Sequence, residues 1–416
     1  MHAPARPAAP LTAPARTAAG AGLRGLVVRL HRYFGLAIAL FLVLAGLTGS
    51  LLVFQTELDA ALNPRLFQIE ATGPSLSPQD LADRIEAADP RVRARWIPLE
   101  SEPSRAADVW VEWKVNPATG TLYPAEYNQV FINPVTGEIQ GRRTYGAPSL
   151  ARENLIPFLH TLHSNLYLPG RLGAFLLGTV AILWAIDSLF GFYLTLPKGG
   201  PFWRKWGKSW QLKPNASTER RTLDIHRAGG LWLWPVLFVM AVSGVALTLE
   251  HEVFEPVVNS VSPVSEPRYL QRPMAPPEKP IEARLSFNEA LARATLAARA
   301  AGIHELTSGL YNAAELGVYG VGFGTEAGPG IGASWVFVDS RTGETIDVVA
   351  ATGGTAGDIF MRMQLALHSG TIAGLPTKIL AAAAGVLTAT LSVTGVILWA
   401  RKRRARRIRA LRAALA

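Results

Sequence analysis

The chain has 416 residues, of which 49% are hydrophobic and 17% charged, against about 25% charged in ordinary soluble domains, so lipid-facing segments are expected. It has no cysteine, which excludes disulfides, zinc–thiolate sites, iron–sulfur clusters and the covalent attachment of c-type haem. The net charge of +10 invites a nucleic-acid reading, but eight of the twelve residues from Arg401 to Arg412 are basic, seven more lie between Lys198 and Arg221, five precede Tyr33, and 28 of the 31 acidic residues fall in two long loops; that is the signature of cytoplasmic span ends, and no nucleic-acid partner is expected.

A membrane span needs about 20 mostly apolar residues, and four segments qualify. Residues 1–22 are rich in alanine and proline and read as a disordered tail. The first span, Tyr33 to Phe54 within 23–54, carries no charge; its apolar core is too long for a signal peptide, so it reads as an uncleaved anchor. Residues 55–158 form an outer segment in which Gln79 to Ala88 has helical periodicity, while Val109 to Val115 and Tyr127 to Ile132 alternate like strands. Asn133 to Gly137 carries turn chemistry, with glycine supplying positive φ. The second span, Leu172 to Leu196 within 159–196, is interrupted only by Asp187. The basic connection 197–223 follows, and its Trp203, Trp206 and Trp210 suit an interfacial helix. The third span is Ala228 to Leu249 within 224–250. A second outer segment, 251–361, has helical periodicity over Phe287 to Ala301 and a turn at Asp339 to Gly343. The fourth span is Ile379 to Ala400 within 362–400, followed by the basic tail 401–416. The positive-inside rule places both termini and the 197–223 connection in the cytoplasm, with both outer segments on the opposite side of the membrane.

The chain repeats itself at a spacing near 200. Arg29-Leu30-His31-Arg32 opens the first span and Asp224-Ile225-His226-Arg227 opens the third, 195 residues later. Leu162-His163-Ser164 precedes the second span, and Leu367-His368-Ser369 precedes the fourth, 205 residues later. The Phe131 to Glu138 turn segment matches Phe337 to Glu344 at a spacing of 206. The expected architecture is therefore a membrane α-helical, four-transmembrane-helix bundle built from two similar halves, with two periplasmic α+β domains.

These motifs resemble the PepSY-associated transmembrane family, also called iron-regulated membrane proteins. The resemblance is carried by His31 to Leu36 (His-Arg-Tyr-Phe-Gly-Leu), the Leu-His-Ser before the second span, His226 to Trp232 (His-Arg-Ala-Gly-Gly-Leu-Trp), and Leu-His-Ser-Gly ending at Gly370. It covers roughly residues 24–404, with PepSY-like domains in both outer loops. Members include dihaem reductases of ferric siderophores, so the resemblance implies that His31, His226, His163 and His368 are haem ligands and that two haem b groups are bound.

The residues themselves are consistent with that chemistry. Only eight histidines occur in the chain and six lie close to span ends, where an ionisable side chain is functional by default. Two neutral imidazoles per haem iron leave no open coordination position, which favours electron transfer over ligand chemistry. His31 and His226 both begin outward-going helices, and His163 and His368 both precede inward-going ones, so one pair is expected near each face. His160 and His251 are second-tier ligands, and the sequence leaves His160 and His163 as alternatives for the outer position. A straight helix from His163 to Leu196 would be about 50 Å long, too long for the bilayer, so a break at Pro169-Gly170 is expected. The expected acceptor is a ferric siderophore or another periplasmic molecule, with Arg142 and Arg143 as candidate anion contacts. The expected electron donor is a cytoplasmic flavoprotein or quinol. Two competing readings remain at this level. One is a non-redox scaffold whose outer domains bind or restrain a partner protein; the other is a metal-ion permease with His160, His163 and Asp187 as ligands.

Overall fold

The computed structural model describes residues 22–100, 104–325 and 329–415, so nearly all of the 1–22 tail lies outside the described residues. Helix α1, Leu23–Leu52, is apolar throughout apart from its basic first turns and is about 45 Å long, which exceeds the ~30 Å hydrocarbon core. The chain then builds helix α2 (Pro78–Ala88) and strands β1 (Val92–Pro98), β2 (Ala107–Trp113), β3 (Gln129–Ile132) and β4 (Ile139–Arg143). It returns through α3 (Leu155–Asn165) and α4 (Leu172–Thr195), and continues through α5 (Thr218–Trp232) and α6 (Trp234–Thr248). The second half of the sheet follows: α7 (Phe287–Ala300), β5 (Thr307–Ala313), β6 (Val318–Phe323), β7 (Ser334–Asp339) and β8 (Thr345–Val349). The chain closes with α8 (Ala356–Ser369) and α9 (Leu375–Ala414).

Three helices, α1, α4 and α9, are long and apolar enough to cross a membrane, and α5 with α6 makes a fourth span if the bent pair is counted as one. The third span, expected as one helix over 224–250, is a bent pair. Its two parts meet at 72° around Leu233. Pro235 opens α6; it has no N–H to donate, and its ring would clash with the carbonyl four residues back. The second and fourth segments are also divided. Helix α3 ends in two left-handed residues, Leu166 (φ 56°) and Tyr167 (φ 55°), ahead of Pro169 and Gly170, so the expected break is present and starts three residues earlier. The chain folds back so tightly that a Cβ on Gly173 would collide with the Asn165 backbone. Helix α8 ends at Gly370, also left-handed at φ 76°, before α9 begins. Within the bundle α1 packs on α9 and α4, and α4 packs on α6. Gly46 and Gly385 let the α1 and α9 backbones approach closely, and Ser50 Oγ donates to Ala382 O at 2.9 Å across that contact.

The two outer segments do not fold as two separate domains. They form one eight-stranded antiparallel sheet in the order β4-β3-β2-β1-β5-β6-β7-β8. The halves join where Trp96, Ile97 and Pro98 of β1 pair with Tyr311, Leu310 and Gly309 of β5. Each half alone would present an open edge strand there, and pairing the two edges satisfies both. Helices α2 and α7 share one hydrophobic core with the strands, including Leu81, Ile85, Val109, Ala290, Leu310 and Val336. Each helix begins with a capping box, Ser77 with Asp80 and Ser286 with Glu289. Their N-termini also bond across the seam: Phe287 N–H donates to Gln79 Oε1 at 2.9 Å and Gln79 N–H to Asn288 Oδ1 at 3.2 Å.

Candidate functional site

The four motif histidines come from four different helices: His31 from α1, His226 from α5, His163 from α3 and His368 from α8. They meet in two pairs of nearly identical geometry. The rings of His31 and His226 have centroids 6.1 Å apart at an interplanar angle of 54°, and those of His163 and His368 are 6.2 Å apart at 54°. Two imidazoles sharing a metal at about 2 Å each stand with their centroids roughly 6 Å apart, so either pair has the separation of two axial ligands.

The outer atoms of each ring are held by a neighbouring helix. His31 Nδ1 lies 2.9 Å from Asp187 Oδ1 on α4. His226 Nδ1 lies 3.0 Å from Leu391 O and 3.1 Å from Thr394 Oγ1 on α9. His163 Nδ1 lies 2.9 Å from Thr48 Oγ1 on α1, and His368 Nδ1 lies 2.9 Å from Ser243 Oγ on α6. Among the described residues no hydrogen bond engages Nε2 of any of the four, so each ring keeps its other nitrogen free. Anchoring one imidazole nitrogen to fix the tautomer and aim the other is the usual second layer of a metal–histidine site.

A glycine borders each ring. A Cβ on Gly49 would stand 2.9 Å from His163 Cε1, one on Gly395 3.3 Å from His226 Cε1, one on Gly191 3.4 Å from His31 Cε1, and one on Gly244 3.9 Å from His368 Cε1. A cavity of about 390 Å³ opens at the first pair, bordered by His31, His226, Gly35, Gly191, Gly230 and Trp184 and mostly apolar in its lining. At the tail-side pair, two imidazoles with free Nε2 atoms beside an apolar-lined space fit a flat, iron-centred macrocycle; the sheet-side pair repeats the ring geometry and the Nδ1 anchoring.

The two pairs stand at opposite ends of the bundle. His31 and Thr48, which touch different pairs, are 17 residues apart on α1, or about 25 Å along its axis. One pair is on the side of the basic tail and the other on the side of the sheet. Trp184 lies between these levels, packed with Ile38, Leu42 and Val180. Each histidine is anchored within its own half of the repeat, and each pair forms across the halves.

The remaining candidates fall elsewhere. His160 is set edge-on against Tyr145 at 5.7 Å rather than against His368. His251 is exposed and bonds Glu255 at 2.8 Å. Asp187 bonds His31 at the far end of the bundle from His163, so the permease ligand set of His160, His163 and Asp187 is not assembled. Arg143 is not an exposed anion contact: it is buried and makes a two-pronged pair with Asp59 at 3.0 and 2.6 Å. Arg142 lies over the Tyr127 ring at 4.9 Å. The tryptophans of the tail-side connection cluster, with Trp206 5.8 Å from Trp203 and 5.4 Å from Trp210, and Trp203 is exposed.

The anchors Thr48, Ser243, Thr394 and Leu391 were not anticipated from the sequence. The signal was present, because Thr48-Gly49 and Ser243-Gly244 are 195 residues apart, the same spacing as His31 and His226. A family model described as the PepSY-associated TM region matches residues 28–402. A search of curated proteins gives no significant match.

Proposed function

The chain belongs to the PepSY-associated transmembrane family, and from that premise we propose that it is a dihaem b-type oxidoreductase of the bacterial inner membrane. In this reading it carries electrons from a cytoplasmic flavoprotein or quinol to a periplasmic acceptor such as a ferric siderophore. The observation that supports it is the pair of matched histidine couples, 6.1 and 6.2 Å between centroids, each ring anchored through Nδ1. His31 and His226 would hold one haem, and His163 and His368 the other. Haem when bound supplies a one-electron ferric–ferrous couple.

The protein's own residues do the rest. The Nδ1 anchors hold the rings against rotation, so little rearrangement accompanies a change of charge at either site. The glycines let each ring pack close against a neighbouring helix. The apolar helices would exclude water, and two imidazoles on a haem iron would leave no position for oxygen. The separation of the couples by about 25 Å along α1 is consistent with one near each face of a ~30 Å core. Transfer of one electron from the sheet-side site to an oxygen-ligated ferric ion would reduce it to ferrous iron, whose lower charge weakens that hard-ligand complex and would release iron on the sheet side.

The test is a haem titration of purified protein. Two haems per chain with low-spin spectra are expected. His31→Ala and His226→Ala should each lose the same haem, and His163→Ala and His368→Ala the other. A folded but colourless protein would remove the electron-transfer reading and leave the scaffold reading in its place.

A further inference from the structure

The four histidine anchors follow the internal repeat, and one of them breaks it. Thr48 and Ser243, which hold the sheet-side pair, are 195 residues apart, and both present a hydroxyl. On the tail side Gly191 and Gly395, which border the His31 and His226 rings, are 204 residues apart, and at that spacing the repeat partner of Asp187 is Leu391. Leu391 gives His226 a backbone carbonyl, supplemented by Thr394 Oγ1, whereas Asp187 gives His31 a carboxylate oxygen at 2.9 Å. Three of the four rings thus rest on neutral oxygens and one rests on an acid.

Asp187 is buried, with 7% of its surface exposed, and it is the sole acidic residue of the second span. Its one hydrogen bond among the described residues is to His31. No lysine or arginine forms an ion pair with it among the described residues. It borders the tail-side cavity, and Gly35 lies beside its second oxygen, where a Cβ would stand at 3.6 Å. An acid at such depth is expensive and is retained where it has a task. Its placement at the one position where the repeat supplies a leucine points to a difference between the two halves rather than to a shared packing need.

We propose that Asp187 is a positioning residue that makes the two haem sites unequal. It accepts the Nδ1–H of His31 and pushes electron density toward Nε2, as carboxylates do behind metal-bound histidines. A more electron-rich ligand favours the ferric state of an iron held there. The tail-side site becomes the stronger reductant of the two, which sets the downhill direction toward the sheet. This rests on the dihaem reading and adds the residue that gives the conduit its polarity.

The experiment is an optical redox titration of purified full-length protein and of the Asp187→Asn and Asp187→Glu variants. The tail-side haem is identified as the one missing from His226→Ala. Asparagine keeps the shape and removes the charge. The expected result is that Asp187→Asn keeps both haems and shifts the electron distribution between them about tenfold toward the tail-side haem, about 59 mV for one electron. The sheet-side midpoint should not move, the ferric low-spin paramagnetic resonance of one site should change, and Asp187→Glu should stay near the original values. Unchanged midpoints in Asp187→Asn overturn the proposal, as does loss of haem from that variant, since Asp187 would then hold the site together rather than tune it. If the unsubstituted protein carries no haem, the dihaem reading itself fails, a result distinct from either.

Discussion

Gly49 shows how tightly the histidine positions are specified at the level of single residues. A Cβ there would stand 2.9 Å from His163 Cε1, closer than carbon atoms tolerate, so Gly49→Val should displace the ring. On the dihaem reading the expected outcome is loss of the sheet-side haem with the tail-side haem retained, read as a haem-to-protein ratio falling from two toward one. Away from the membrane, Asp339 opens the turn between β7 and β8. Burial by itself would raise its pKa, but the backbone N–H groups of Thr342 and Arg341 and the guanidinium of Arg272 outweigh that and hold it at about 2, below its ordinary 3.8. A depressed carboxyl contributes stability that is fully present above its unfolded pKa and lost as pH falls through the folded one. The sheet should therefore weaken between about pH 4 and pH 2, followed by tryptophan emission from Trp335 on the adjoining strand, and Asp339→Asn should flatten that dependence.

At the scale of elements, the sheet is fastened to the bundle through a buried ion pair. Arg143 at the end of β4 reaches Asp59 in the short helix Gln55–Leu62 just after α1, and also contacts Gln129 Oε1 at 2.7 Å and Glu153 O at 2.8 Å. Removing one partner of such a pair leaves an uncompensated charge and costs about 3–5 kcal/mol, whereas replacing both with apolar residues is frequently near neutral. Arg143→Met should lower the thermal midpoint strongly, and adding Asp59→Leu should restore most of it. A double substitution no more stable than the single one would show that the pair does not act as a unit. The break in the third span belongs to the same scale. Its sequence cue was Pro235, but an apolar run with a single proline also describes a merely kinked helix, and only the packing of α5 against α9 fixes a bend of 72°.

At the scale of the whole molecule, α1 and α9 connect the two ends. Helix α1 carries His31 and the Thr48 anchor, and α9 carries the anchors of His226. Their close approach depends on Gly46 and Gly385, where a Cβ on Gly385 would lie 2.6 Å from Gly46 O. On the dihaem reading Gly385→Leu should therefore reduce haem occupancy at both histidine pairs together, in contrast to the single-site loss expected at Gly49. Loss of only one haem in Gly385→Leu would show that the two ends assemble independently.

The span positions, the charge at their ends and the pairing of the histidines followed from the sequence, because hydropathy, the scarcity of histidine and a 200-residue repeat are local or periodic signals that do not require knowledge of neighbours. The repeat also held the hydroxyl anchors, although nothing in their composition set Thr48 or Ser243 apart from ordinary helix residues. Tertiary structure alone decided the rest. Whether two half-sheets remain apart or join at β1 and β5 depends on edge strands meeting across some 200 residues of chain, and an open edge looks the same in sequence whichever partner closes it. Whether His160 or His163 faces His368 depended on how α3 folds back at Leu166, and the contact that distinguishes Asp187 from its leucine counterpart exists only once α1 and α4 lie side by side.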